Sequence, residues 1–236
     1  MTSLLSTSSP AAVLWDMDGT VIDSEPHWLA AELRMLSRYG IELKAETRDR
    51  LVGSGLTAAA KLFQDLGVPL EIDEIIAEWA DAVIAELRGG ATEWRPGALE
   101  LLTSLAEAGI PSALVTMATR RIADAVVAML PPGTFVGIVA GDEVAREKPD
   151  PDPYLRGAAM LGVQIEDCLA IEDSPNGLRS AHASGAIAIG VPHLVSLDNA
   201  PHHELWPSLA AIDAKELSAR FGRLRMSNND SREEEK

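Results

Sequence analysis

The 236-residue chain has one cysteine, few aromatic residues (4%) and a shortage of positive charge, with 20 Lys and Arg against 36 Asp and Glu. A lone cysteine forms no intramolecular disulfide, so nothing points to an oxidising compartment. The setting of Cys168, Asp167-Cys168-Leu169-Ala170-Ile171, suits a small core residue rather than a catalytic thiol. No run approaches the ~20 apolar residues that cross a bilayer. Residues Met1 to Pro10 carry no positive charge ahead of their short apolar run, so neither export nor a membrane anchor is expected and the cytoplasm is the default. A formal charge of −16 repels phosphate backbones at long range and disfavours nucleic acid as a partner. The chain also lacks a Gly-x-Ser-x-Gly elbow and a Gly-Lys-Ser/Thr phosphate loop, which excludes the serine-hydrolase and P-loop readings.

What is present is an ordinary globular composition, 47% hydrophobic, long enough for one large domain or a core with a smaller module. The buried-strand run Ala11 to Trp15 stops at Asp16-Met17-Asp18-Gly19-Thr20. From about Glu25 to Arg88, apolar residues recur at helical spacing (Leu29, Leu33, Leu36, then Ile72, Ile75, Ile76, Trp79, Val83, Leu87), which predicts a helical insert closed by Gly89-Gly90. Helices and short apolar strands then alternate. The strands are expected at 112–115, 136–140, 168–171 and 186–189, with helices over 99–108, 122–129, 154–161 and 177–184. Such alternation implies right-handed crossovers and a doubly wound parallel α/β sheet. The expected division is a core of residues 11–23 and 91–222 and a helical module of 24–90. Residues 1–10 and 227–236, which lack apolar anchors, are expected to be disordered.

Sheets of this kind bind ligands beyond the carboxyl ends of their strands. Asp16 and Asp18 follow the first run, Thr116 and Met117 the second, Lys148-Pro149 comes after the third, and Glu172-Asp173-Ser174 follows the fourth. Two carboxylates leaving a strand at i and i+2 can enter one crevice, where their repulsion calls for a cation or a proton. Carboxylates suit a hard cation; a hydroxyl, an ammonium and helix N-termini suit phosphoryl oxygens.

In these four pieces, taken in order, the sequence resembles the haloacid dehalogenase superfamily of phosphohydrolases over residues 11 to 192. The resemblance implies a Rossmann-like core with a small α-helical cap inserted after the first strand. It implies Asp16 as a nucleophile forming an aspartyl-phosphate and Asp18 as general acid and then base. Mg²⁺ would be held by Asp16, the Asp18 carbonyl and Asp173, with Glu172 as an extra ligand. Thr116 and Lys148 would bind the phosphoryl group, and with Met117-Ala118 where small polar residues are common, a backbone N–H would replace one side-chain contact. The implied partner is a small phosphorylated metabolite, a sugar phosphate by preference, and the implied assembly a monomer or weak dimer.

Three other readings are weaker. Phosphosugar mutases resembling beta-phosphoglucomutase carry a His twelve residues past the nucleophile, where this chain has Trp28, and His27 is turned by about 100° on a helix. A dehalogenase would leave Asp18 and Glu172-Asp173 without work. A signalling receiver has no helical insert and is about half this length. Gly53-Ser54-Gly55 follows a charged run instead of a strand, so it is expected to be a loop of the insert facing the site and not a dinucleotide loop. Glu25, Trp28 and Arg50 are expected near the leaving group, and His193, His202 and His203 in a solvated loop without metal.

Overall fold

The computed structural model describes residues 9–44, 51, 55–90 and 92–234, with side chains to residue 227. Strand β1 (Ala12–Trp15) lies in a sheet with β4 (Ser112–Val115), β5 (Gly137–Val139), β6 (Cys168–Glu172), β7 (Ile187–Gly190) and β8 (Glu204–Leu205). The spatial order is β5-β4-β1-β6-β7-β8, every pair parallel. The chain builds outward from β1 to one side through β4 and β5, then crosses back and builds to the other, so the topological switch point falls at β1.

Alternate residues of each strand enter opposite layers, as the two-residue period requires. One layer takes the large side chains Val13, Trp15, Leu169, Ile171, Ile187 and Ile189. It packs on helices α4 (Ala98–Glu107), α5 (Arg120–Val127) and the first turns of α8 (Ala214–Glu234), through residues such as Leu101, Ile122 and Phe221. The other takes Ala12, Leu14, Ala113, Ala170 and Ala188 against Tyr154 and Ala158 of α6 (Asp152–Leu161) and Leu178 of α7 (Pro175–Ser184). The small residues bring these two helices close. At Gly157 an added Cβ would stand 3.0 Å from Val115 and 3.3 Å from Leu14.

After β1 the chain turns through Gly19, at φ +79°, which favours glycine. It then passes a two-residue antiparallel ribbon, β2 (Ile22–Asp23) paired with β3 (Glu93–Trp94), before and after the insert. The insert comprises α1 (Glu25–Arg38), α2 (Leu56–Asp65) and α3 (Ile72–Arg88). Its centre is Phe63 set edge-on to Trp79, ring centroids 4.7 Å apart, beside Met35, Ile75 and Val83.

The structure departs from the sequence reading at several points. The ribbon is too short for periodicity to reveal, and β8 carries no apolar alternation. Leu33 is 45% exposed, because the buried face of α1 runs through Ala31, Met35 and Leu36. The last helix continues to Glu234, so residues 227–234, expected to be disordered, have helical backbone; no Gly or Pro follows Gly222 to stop it. Glu172 ends β6 instead of following it, and His203 is tied to the sheet, its Nδ1 accepting the Ala188 N–H at 3.0 Å. Residues 1–8, 235 and 236, Arg50, Gly53 and Ser54 lie outside the described residues.

Removing a fully buried aromatic ring leaves a cavity that neighbours only partly fill. Phe63→Ala should lower the free energy of unfolding by about 3–5 kcal/mol in a denaturant titration. A loss under about 1 kcal/mol would contradict the packing described for the insert.

Candidate active site

The carboxyl ends of β1, β4 and β6 meet at the switch point. Asp16 extends β1, its N–H bonded to the Ile171 carbonyl at 3.0 Å, and Thr116 extends β4, its N–H bonded to Val139 at 3.0 Å. Between them and Glu172 sits the Lys148 ammonium, whose side chain is 4% exposed. It donates to Asp16 Oδ1 at 2.8 Å, Glu172 Oε1 at 2.6 Å and the Val115 carbonyl at 2.8 Å. Three acceptors use its three hydrogens, so in this arrangement Lys148 is the fixed counter-ion of Asp16 and Glu172.

Glu172 is fully buried. Its Oε1 also accepts the Tyr154 hydroxyl at 2.8 Å, and its Oε2 accepts the Ser174 hydroxyl at 3.0 Å and the Ser174 N–H at 3.3 Å. Ser174 caps α7, accepting from the Gly177 N–H at 3.0 Å, and residue 177 is glycine because a Cβ there would overlap the Glu172 carboxylate. Asp173, next in the chain, lies against Gly19 of the first turn.

Asp18 is held differently. Its Oδ1 accepts the Ser24 hydroxyl and the Trp28 indole N–H (3.0 Å), both from the start of α1, while its Oδ2 lies 3.4 Å from the Thr116 hydroxyl. Thr116 Oγ1 in turn accepts the Ala118 N–H at 3.0 Å.

Asp16, Glu172 and Asp173 present ligand oxygens within 4.8 Å of one another, all at buried or half-buried positions. Burial pushes the Asp16 carboxyl up to about 7, with Glu172 and Asp18 adding to the rise and Lys148 opposing it. Asp173 rises for the same reasons, burial first and then Asp16 and Glu172. Burial alone would lower Lys148, but Asp16 and Glu172 outweigh it and hold the ammonium charged. Tyr154 stays a neutral donor, its hydroxyl raised by burial and by Glu172. A cluster with more carboxylate than ammonium, built of hard oxygens, fits a divalent cation. Asp16 Oδ2 and the Asp173 carboxylate are free of the Lys148 contact; Glu172 already has donors on both oxygens.

A cavity of about 210 Å³ opens above this cluster. Of the residues singled out in the sequence, Asp16, Asp18, Met117, Lys148 and Asp173 line it; Thr116 and Glu172 are fully buried beneath. Helix α1 contributes Glu25, Trp28, Leu29 and Glu32, one face at i, i+3, i+4 and i+7 spacing. Gly55 and Leu56, the described part of the segment read as a loop, line the cavity with Leu51, and Gly55 caps helix α2. Met117 Sδ accepts the Lys148 N–H at 3.4 Å.

Residue pattern alone missed Tyr154, and it missed the bonds from Ser24 and Trp28 to Asp18. Only the helix-start position of Ser24, with Trp28 one turn later, could have signalled the latter. His193 lines the cavity with Nε2 3.2 Å from Asp23 Oδ1, whereas His202 Nδ1 lies 2.8 Å from the Ala200 carbonyl and His203 is bonded to β7. They form no shared metal cluster among the described residues. Cys168 is a core residue with its thiol pushed up to about 12, by burial first and then by Asp167 and Glu166.

The family model described as haloacid dehalogenase-like hydrolase matches residues 13–191. Hexitol phosphatase A of Escherichia coli (strain K12) is 33% identical over 193 residues, covering 75% of this chain and 81% of that protein. The crystal structure of CbbY from Rhodobacter sphaeroides in complex with phosphate superposes with a TM-score of 0.78 at 28% identity, covering 88% of this chain and 99% of that one. A beta-phosphoglucomutase from Clostridium difficile shares the fold, with a TM-score of 0.77 at 17% identity over 91% of this chain and 98% of that one. The chain belongs to the haloacid dehalogenase-like hydrolase family.

Protons compete with a cation for Asp16, whose carboxyl is pushed up to about 7 by burial first. A divalent cation at one fixed concentration, about a hundredfold over its Kd at pH 7.5, should therefore raise the thermal unfolding midpoint by about 5–10 °C at pH 7.5 and by much less at pH 5. An equal shift at both pH values, or one that survives Asp173→Asn, would contradict a site at these carboxylates.

Proposed function

We propose that this member of the haloacid dehalogenase-like hydrolase family is a phosphoric monoester hydrolase that removes phosphate from a small phosphorylated metabolite, a sugar phosphate by preference, through an aspartyl-phosphate on Asp16. The observation that carries this reading is the Lys148 ammonium clamped between Asp16 and Glu172. It holds one oxygen of Asp16 and leaves the other free of that contact in a residue that lines the cavity, as an attacking carboxylate needs.

In the first step Asp16 Oδ2 attacks phosphorus, the bond to the ester oxygen breaks, and Asp18 gives that oxygen a proton. In the second, Asp18 takes a proton from the water that attacks the phosphoryl group, and Asp16 is released with inorganic phosphate. Lys148 offsets negative charge beside the attacking carboxylate. Thr116, buried beneath the site with its hydroxyl near Asp18, and Met117 at the wall take the phosphoryl side. Asp16, Asp173 and the Asp18 carbonyl are the donors for Mg²⁺; Glu172, engaged on both oxygens, positions Lys148 before it serves as a ligand. The cation, when bound, supplies a Lewis acid that withdraws charge from the phosphoryl oxygens.

Residues 24–90 act as a cap over a core of 11–23 and 91–222, since α1 and α2 line the cavity roof. The assembly we propose is a monomer or weak dimer in the cytoplasm. No helix among the described residues is long and apolar enough to cross a membrane, and the −16 charge disfavours nucleic acid.

The mutase reading is disfavoured by helix α1. His27 is buried away from the cavity and Trp28 occupies the wall. An indole donates a hydrogen bond but accepts no proton, so it cannot relay one between sugar hydroxyl and phosphate.

A panel of phosphate monoesters assayed for inorganic phosphate, with Mg²⁺ present or chelated, tests the proposal. Release should require the metal and fall by about 10⁴-fold or more in Asp16→Asn. Undiminished release from that variant would contradict the nucleophile assignment, and isomer interconversion without net phosphate would favour the mutase.

A further inference from the structure

We propose that Trp28, with Ser24, is a positioning residue for Asp18 that confines the transferable proton to one oxygen of its carboxylate. The proposal rests on the reading of Asp18 as the acid that protonates the leaving group, and it adds a residue through which that acid works.

The two carboxylate oxygens of Asp18 have separate neighbours. Oδ1 receives two donors from the start of α1, the Ser24 hydroxyl and the Trp28 indole N–H at 3.0 Å. The indole has no acceptor, so Oδ1 is held as an acceptor whichever way the carboxyl group is protonated. Oδ2 lies 3.4 Å from the Thr116 hydroxyl, a group that both donates and accepts and whose oxygen already takes the Ala118 N–H. A proton on Asp18 is thereby placed on Oδ2, on the side of Thr116. Free rotation of the carboxyl group would instead present the protonated oxygen to the wrong partner for part of the time.

The position of the indole follows from the helix. Ser24 precedes α1 as its N-terminal flanking residue, Trp28 comes one turn later, and both lie over Asp18, while His27 between them turns into the core. Trp28 also lines the cavity, so the residue that orients the acid faces the same space as Asp18.

Leaving-group dependence separates this role from a merely structural one. The alcohol of an alkyl sugar phosphate, chosen as one hydrolysed in the phosphate-release panel, must be protonated as it departs, whereas p-nitrophenolate leaves from p-nitrophenyl phosphate without a proton. Trp28→Phe, which keeps a ring and removes the N–H, should lose about tenfold more kcat/KM on the sugar phosphate than on the aryl ester, in line with one hydrogen bond to a charged group. Ser24→Ala, a small change at the same oxygen, should show the same bias and serves if the tryptophan variant folds poorly. When Asp18→Asn is already present, Trp28→Phe should cost less than about twofold on the sugar phosphate, because the group it positions has gone. Equal losses on both esters, or a full loss in the Asp18→Asn background, would overturn the proposal while phosphate release still depended on Asp16. Release that survives Asp16→Asn would overturn the parent reading and this proposal with it.

Discussion

One buried ammonium sets the terms for the rest of the site. Lys148, with three acceptors for its three hydrogens, draws Asp16 and Glu172 together where burial alone would drive both charges apart or neutralise them. The pair it forms is incomplete, because Asp173 brings a further carboxylate to the same spot. Removing Lys148 would leave Asp16 and Glu172 buried without their counter-ion. Burial, with Glu172 and Asp18 beside it, raises the Asp16 carboxyl to about 7 against the pull of Lys148.

The fold serves this cluster through size as much as through sequence motif. The layer of alanines on β1, β4, β6 and β7 lets α6 and α7 approach the sheet closely, which carries Tyr154 and Ser174 to the two oxygens of Glu172. Gly177 clears space for the same carboxylate. Large residues on the opposite layer join the core to the insert in one continuous apolar cluster, so the cavity roof is anchored to the sheet that carries the acids. Two parts of the chain therefore border the cavity: strand ends carry the acids, and helix α1 carries Glu25, Trp28, Leu29 and Glu32.

Much of this was legible in the residues. Asp16, Asp18, Thr116, Lys148 and Asp173 each follow an apolar run, and a doubly wound sheet has one edge at which such positions converge. Length and type of the main helices and strands followed from periodicity, with ends shifted by one or two residues. Other features have no local signature. The β2–β3 ribbon is two residues long, and Tyr154 meets Glu172 only because Ala170 and Gly157 are small. Helix α1 has three faces, to core, cavity and solvent, so its leucines at 29 and 33 gave a misleading stripe. The last helix outruns its apolar positions because polar residues without Gly or Pro do not terminate it.

The central claim is that Asp16, held by Lys148, is the atom donor to phosphorus. Borohydride added during turnover reduces an acyl-phosphate to the corresponding alcohol, which marks the residue that carried it. Peptide mass spectrometry of the trapped protein should find homoserine at position 16, dependent on both substrate and Mg²⁺. Phosphate release with no reduction at Asp16, or with reduction at another carboxylate, would contradict the account.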